Sequence, residues 1–112
     1  KGVSMQYLVQ GSGGPGFATP EETVDILEGA VLPAFDHLAA LESDGRIRGG
    51  GLPLGERAFV FVLDASSNEE ADRVLRDIPV WGVLEWSVTP MVSFAERAAK
   101  EREVVEQIRQ AG

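Results

Sequence analysis

The sequence predicts a single α+β domain whose elements run β-α-β-β-α-β, followed by a C-terminal helix. Three observations carry this expectation. Short stretches of strand periodicity alternate with longer stretches of helical periodicity over the 112 residues. Clusters of glycine and proline separate them. The strongest strand, residues 57–64 (RAFVFVLD), is apolar on both faces, so a helical layer can cover only one of them.

Residues 5–10 (MQYLVQ) alternate, with Met5, Tyr7 and Val9 on one side and Gln6, Leu8 and Gln10 on the other, which is the period of a strand. A flexible loop, GSGGPGFATP, is expected next. It leads into a helix start at which Thr19 caps, Pro20 occupies the first turn, and Glu21 and Glu22 face the positive end of the dipole. The helix spans about residues 20–43, with Val24, Leu27, Val31, Phe35, Leu38 and Leu41 at three- and four-residue steps and a bend expected at Pro33. After SDG at 43–45, the stretch RIRGGGLPLGE reads as a short strand and its turn. Its three adjacent glycines indicate either a bulge or a backbone that something approaches closely.

Beyond the 57–64 strand, Ser66 or Ser67 caps a helix whose first turn is acidic and which continues through Ala71, Val74, Leu75 and Ile78 to Pro79. VLEWSVTP supplies the last strand. Its alternation sets Val83, Glu85, Ser87 and Thr89 against Leu84, Trp86 and Val88. From about residue 91 an amphipathic, charge-rich stretch forms a helical arm. Phe94, Ala98, Val104 or Val105 and Ile108 lie near one side of it, to pack across a neighbouring subunit or to fray in solvent. This order is the split βαβ, or ferredoxin-like, arrangement. Residues 5–112 form the domain, and Lys1 to Ser4, ahead of the first methionine, are set aside as an appended remnant outside the function.

Composition narrows the function. The chain has no cysteine, which removes disulfides, thiolate metal sites and thiol nucleophiles and suits a reducing compartment. With one histidine as well, a metal site is not expected. A net charge of −8 with scattered basic residues argues against nucleic acid as a partner. No stretch approaches a membrane span and no signal peptide is recognised, so a soluble, cytoplasmic protein is expected.

Residues 64–91, DASSNEEADRVLRDIPVWGVLEWSVTPM, resemble the muconolactone isomerase-like group of the dimeric α/β-barrel proteins. In that group a strand ending in Asp leads through a Ser-rich cap and a short helix to a Leu/Ile-Pro-aliphatic-aromatic turn, here Ile78-Pro79-Val80-Trp81, and a final strand. DGRIRGGGLPLGERAFVFVL matches in outline, and the first 44 residues match in element order alone. The resemblance implies two ferredoxin-like units packed sheet against sheet, as a homodimer or a larger ring. It also implies a cavity between sheet and helices, and cofactor-independent chemistry on a small lactone or related ring compound. The long glycine loop and the extended terminal helix depart from the compact isomerase pattern.

A proton shift across an unsaturated lactone needs a base near neutral pKa and donors for the enolate charge that develops. His37 is the base by residue type. On a regular helix it shares a side with Ile26, Ala30, Pro33 and Leu41, facing a cavity or standing as a partly exposed flank residue. Asp36 points about a third of a turn away and forms no dyad with it. Glu85 is the second candidate base on an apolar-lined sheet face, against the alternative of an edge charge paired with Arg48 or Arg57. Arg48 is suited to a substrate carboxylate or is an exposed strand residue. Tyr7 either donates to an enolate oxygen or is core with its hydroxyl at the rim. Phe59, Phe61, Trp81 and Trp86 form an aromatic wall for a flat ring, or the core and the subunit seam. GSGGPG lacks the lysine and spacing of a phosphate loop and reads as a lid or a plain loop.

The expected activity is therefore cofactor-free proton transfer on an unsaturated ring compound. The alternatives are cofactor-free oxygenation of an activated aromatic, which needs dioxygen, and a non-catalytic binding or assembly role.

Overall fold

The computed structural model describes residues 4–14, 16 and 19–112. Residues 1–3, within the stretch set aside above, and positions 15, 17 and 18 of the glycine loop, on which the lid reading falls, lie outside the described residues. The elements are strand β1 (Met5–Gly13), helix α1 (Pro20–Ile26), a π-helical turn (Leu27–Val31), helix α2 (Leu32–Ser43), strands β2 (Ile47–Gly51) and β3 (Ala58–Ala65), helix α3 (Asn68–Arg76), a 3₁₀ turn (Trp81–Val83), strand β4 (Leu84–Met91) and helix α4 (Phe94–Ala111). The molecule is a mixed α+β structure built on one four-stranded sheet of order β2-β3-β1-β4. Every neighbouring pair in the sheet is antiparallel.

Several boundaries differ from the sequence reading: α3 ends at Arg76 and does not run to Pro79, α4 begins at Phe94 and not at about residue 91, and two further differences have a clear cause. β1 continues three residues past Gln10, because it is a central strand whose Gly11, Ser12 and Gly13 pair with β4 and whose Gly11 and Ser12 also pair with β3. The long helix is also not continuous. Pro33 has no N–H to give to the preceding turn, and the chain widens just before it, with the Leu32 N–H donating to the Leu27 carbonyl five residues back. At the start of α1 the Thr19 hydroxyl accepts from the Glu22 N–H at 3.1 Å, as its position predicts. At the end of α2, Gly45 has φ +83°, and Arg46 and Gly45 donate to the Leu41 and Glu42 carbonyls, a Schellman closure.

β3 alternates strictly between buried and half-buried residues. Phe59, Phe61, Leu63 and Ala65 join Tyr7 and Val9 of β1, Ile47 of β2, Leu41 of α2, and Ala71, Val74 and Leu75 of α3 in one core on the helical side of the sheet. Ile78 is buried just past the end of α3, and Trp81, Leu84 and Trp86 pack on the same cluster. α3 is capped by Ser67, whose Oγ accepts from the Glu70 N–H, while the Glu70 carboxylate accepts from the Ser66 N–H at 2.6 Å.

The other sheet face has no helix on it. By register it presents Gln6, Leu8, Gln10 and Ser12 of β1, with Ala58, Val60 and Val62 on one side and Glu85, Ser87 and Thr89 on the other. Both explanations offered for the three glycines hold. A bulge lies between Ile47 and Gly49, and a Cβ on Gly50 would strike the Val60 carbonyl oxygen and lie 2.6 Å from Phe61 Cβ.

α4 stands apart from the core. It begins in a complete capping box, with Ser93 Oγ accepting from the Glu96 N–H and the Glu96 carboxylate accepting from the Ser93 N–H, both at 3.0 Å. None of its residues is buried. The radius of gyration is 18.8 Å and the long axis 71 Å. A compact chain of this length has a radius near 13 Å, so the projecting helix sets the dimensions.

Candidate functional site

A cleft of about 460 Å³ separates the first half of the helical layer from the sheet. Side-chain size explains it. The sheet contributes Gly11, Gly13 and Ala58, and the helix opposes them with Ala30 and Ala34, so neither surface fills the gap. α1 has no buried residue, whereas α2 is anchored by Ala34 and Leu41. The lining is otherwise aliphatic and aromatic, with Phe59 and Phe35 on opposite walls and Val83 and Leu84 at one end. Glu56 and Arg57, from the β2–β3 hairpin, bring the charged groups to the lining.

A shallower depression of about 280 Å³ involves the open sheet face. Gln10, Ser12, Glu85 and Ser87 line it, and Glu56 reaches it from the hairpin, so two carboxylates share this surface.

The residues singled out from the sequence do not converge on one place. Phe59 lines both cavities, Trp86 and Glu85 line the shallow one, and His37, Tyr7, Arg48, Phe61 and Trp81 line neither. His37 is half-buried on α2. The π turn at Leu27–Val31 interrupts the regular-helix phase that set it beside Ala30; Ile26 before the turn, Ala30 within it and Ala34 after it line the cleft, and His37 does not. Tyr7 is core, and its hydroxyl donates to Asn68 Oδ1 at the rim.

Arg48 sits at the β2 bulge and pairs with Asp64 at 3.0 Å. Arg48 on β2 and Glu85 on β4 occupy opposite edges of the sheet, which rules out the pairing considered for them. The aromatic residues form a connected group. Phe59 meets Trp86 edge to face at 5.5 Å and stacks near Phe61 at 6.1 Å, while Trp81 lies under the Arg76 guanidinium at 4.6 Å.

Sequence reasoning passed over Glu56 and Ala34; it named Arg57 only as a partner for Glu85 and Ala30 only as a neighbour of His37. The available signal was the small residues: a strand ending in Gly-Ser-Gly and alanines four apart on the helix that follows it predict a gap between two elements that are adjacent in the chain. The two carboxylates whose acidity is shifted lie elsewhere. Glu70 and Glu96 are held below the ordinary value of 4.5, chiefly by the backbone N–H groups of Ser66 and Ser93 that donate to them.

Among the described residues no group of three or more His, Cys, Asp and Glu side chains is placed to hold a metal ion, and no helix is long and apolar enough to cross a membrane. No protein-family model and no curated protein matches the chain.

Proposed function

We propose that the chain is a ferredoxin-like unit that binds a small, mainly apolar ring compound in the cleft between its sheet and its helical layer, as a cytoplasmic homodimer or larger homo-oligomer. The cleft carries the reading. Its volume of about 460 Å³ and its aliphatic and aromatic lining with a few charged groups suit a compact ring bearing a carbonyl or carboxylate. Partnering through the open sheet face is supported by its centre: Leu8, Val60 and Val62 are half-buried there beside Gln10, Ser87 and Thr89, with Glu85 on β4 toward one end. A second copy laid sheet to sheet makes the dimeric α/β barrel. The absence of cysteine suits a cytoplasmic location.

The position of Glu56 supports a second reading, the cofactor-independent proton transfer of a muconolactone isomerase-like enzyme. Glu56 is the carboxylate on the lining of the apolar cleft, and it shares the shallow depression with Glu85. A carboxylate beside apolar walls is a suitable base for a C–H adjacent to a conjugated carbonyl.

The test is a titration of the intrinsic tryptophan fluorescence, since Trp86 packs on Phe59 at the cleft wall. The ligands are a panel of unsaturated lactones, muconolactone included. A saturable change that Ala30→Phe abolishes supports the binding site. No saturation with any compound, or an unaltered response in Ala30→Phe, overturns it. Proton NMR in heavy water on the same panel reads the second reading, with Glu56→Gln, Glu85→Gln and His37→Ala as the discriminating variants.

A further inference from the structure

We infer that α4 is a docking arm whose apolar stripe, bordered by cations, seats on the acidic outer surface of the α1–α2 layer of a second copy, beside the mouth of that copy's cleft. At about 100° per residue, Phe94, Ala98, Val105 and Ile108 fall on one stripe of α4. Phe94 is 98% exposed and Ile108 67%, an unfavourable arrangement for a helix left in water. Arg97, Arg102 and Arg109 border this stripe, whereas Glu96, Glu103 and Lys100 lie on the opposite side of the helix and Glu106 lies on the flank beyond Arg102. The binding face of the arm is therefore an apolar stripe with Glu101 at its middle, ion-paired to Arg97 at 3.7 Å, and with Arg102 and Arg109 along its border, so it is net positive although α4 as a whole is neutral.

The complementary surface is on the same chain. Residues 20–43 contain Glu21, Glu22, Asp25, Glu28, Asp36 and Glu42, all exposed, and no lysine or arginine. Val24 and Leu32 stand half-exposed among these acids, and Phe35 of the cleft wall is exposed beside them. α4 projects away from its own domain, so the matching surface it meets is another copy's. Pairing of α4 with itself is disfavoured because it sets two net-positive stripes against each other, whereas the α1–α2 surface is acidic and Glu101 at the middle of the stripe is offset by Arg97. A roofing role for the arm over bound ligand rests on the reading of the cleft given above; the docking itself does not.

The cysteine-free chain allows a direct test. Full-length Ile108→Cys and Leu32→Cys proteins are mixed and joined with a short bismaleimide, with Gln107→Cys, on the far side of α4, as the control. The expected result is a crosslinked heterodimer several-fold above the control. Arg102→Glu with Arg109→Glu on the arm should diminish it, and Asp25→Lys with Glu28→Lys on the Leu32→Cys partner should restore it. Coupling no greater than the control overturns the proposal, as does Ile108→Cys coupling preferentially with itself. The crosslink is read without ligand, so a failed lactone titration leaves it standing, and an absent crosslink with normal titration removes the arm alone.

Discussion

The indole N–H of Trp86 donates to the backbone carbonyl of Trp81 at 2.9 Å, tying the first residue of the 3₁₀ turn to the third residue of β4. One tryptophan thereby holds the turn that the other begins. Pro79 follows α3, Val80 takes a left-handed conformation at φ 64°, and Trp81 packs on the core beneath Arg76. A β-branched residue is strained in that region of backbone space, so the turn needs contacts on both sides to keep it.

Replacing Trp86 separates these contributions. Trp86→Phe keeps an aromatic ring near Phe59 and loses the hydrogen bond, with an expected cost of about 1 kcal/mol. Trp86→Ala also opens a cavity and is expected to cost about 3 kcal/mol or more. Urea denaturation followed by circular dichroism reads both. Equal losses would show that the hydrogen bond, and not the packing, holds the turn.

Two glycines are expected to resist alanine to different degrees. At Gly11 an added Cβ lies 2.7 Å from Phe59 Cε1 and 3.3 Å from Trp86 Cζ3, both side-chain neighbours, and a loss of about 1 kcal/mol is expected as the rings shift. At Gly50 the obstacles include the Val60 carbonyl oxygen and the Phe61 Cα, which move only if β2 and β3 separate, so about 3 kcal/mol is expected. Thermal unfolding of the two variants should rank them in that order.

Arg48 and Asp64 form an asymmetric pair, with side-chain exposures of 59% and 17%. Asp64 Oδ1 is buried and has no hydrogen-bond partner among the described residues. Arg48→Ala leaves that carboxylate without the guanidinium and is expected to cost about 1 kcal/mol, at the upper end for a partly exposed ion pair. Asp64→Asn added to Arg48→Ala should recover part of the loss. A double-mutant cycle in urea measures the coupling, and additive losses would show that the pair contributes nothing.

Acid should loosen the helix starts at α3 and α4. Glu70 and Glu96 have pKa values lowered from 4.5 in the folded state, so their stabilisation is fully present above that value and is lost as pH falls through the lower folded values. Far-UV circular dichroism should show helix content declining through that acid window. Glu96→Gln, whose amide does not titrate, should remove the α4 part of the decline. An unchanged pH profile in Glu96→Gln would mean that the capping box does not hold α4.

Much of the fold was legible because it depends on local rules. The cap at Thr19, a cap at Ser66 or Ser67 that the structure gives to Ser67, the strict alternation of β3 and the two faces of β4 follow from side-chain chemistry and a period of two, whereas the Ser93 cap went unread. The candidate site was not legible in the same way. Chemical type drew attention to His37, Arg48 and the aromatic residues, whereas the cleft arises where Gly11, Gly13, Ala30, Ala34 and Ala58 leave space. Its charged groups come from a hairpin whose placement depends on the bulge at Arg48 and the close approach at Gly50. A π turn just ahead of Pro33 also interrupts the helical phase between Ala30 and His37, a break that no fixed-period wheel contains.

The π turn at Leu27–Val31 divides the helical layer mechanically as well as geometrically. Downstream, Leu41 fastens α2 into the core; upstream, α1 has nothing buried to hold it down. Opening of the upstream half therefore breaks few apolar contacts and proceeds without global unfolding, so its amides exchange with solvent deuterium ahead of those near Leu41. On the proposed reading of the cleft, the volume beneath it is expected to adjust: a ligand bulkier than the resting gap would be accommodated by an outward swing about the turn, while the sheet and its anchored helices stay in place.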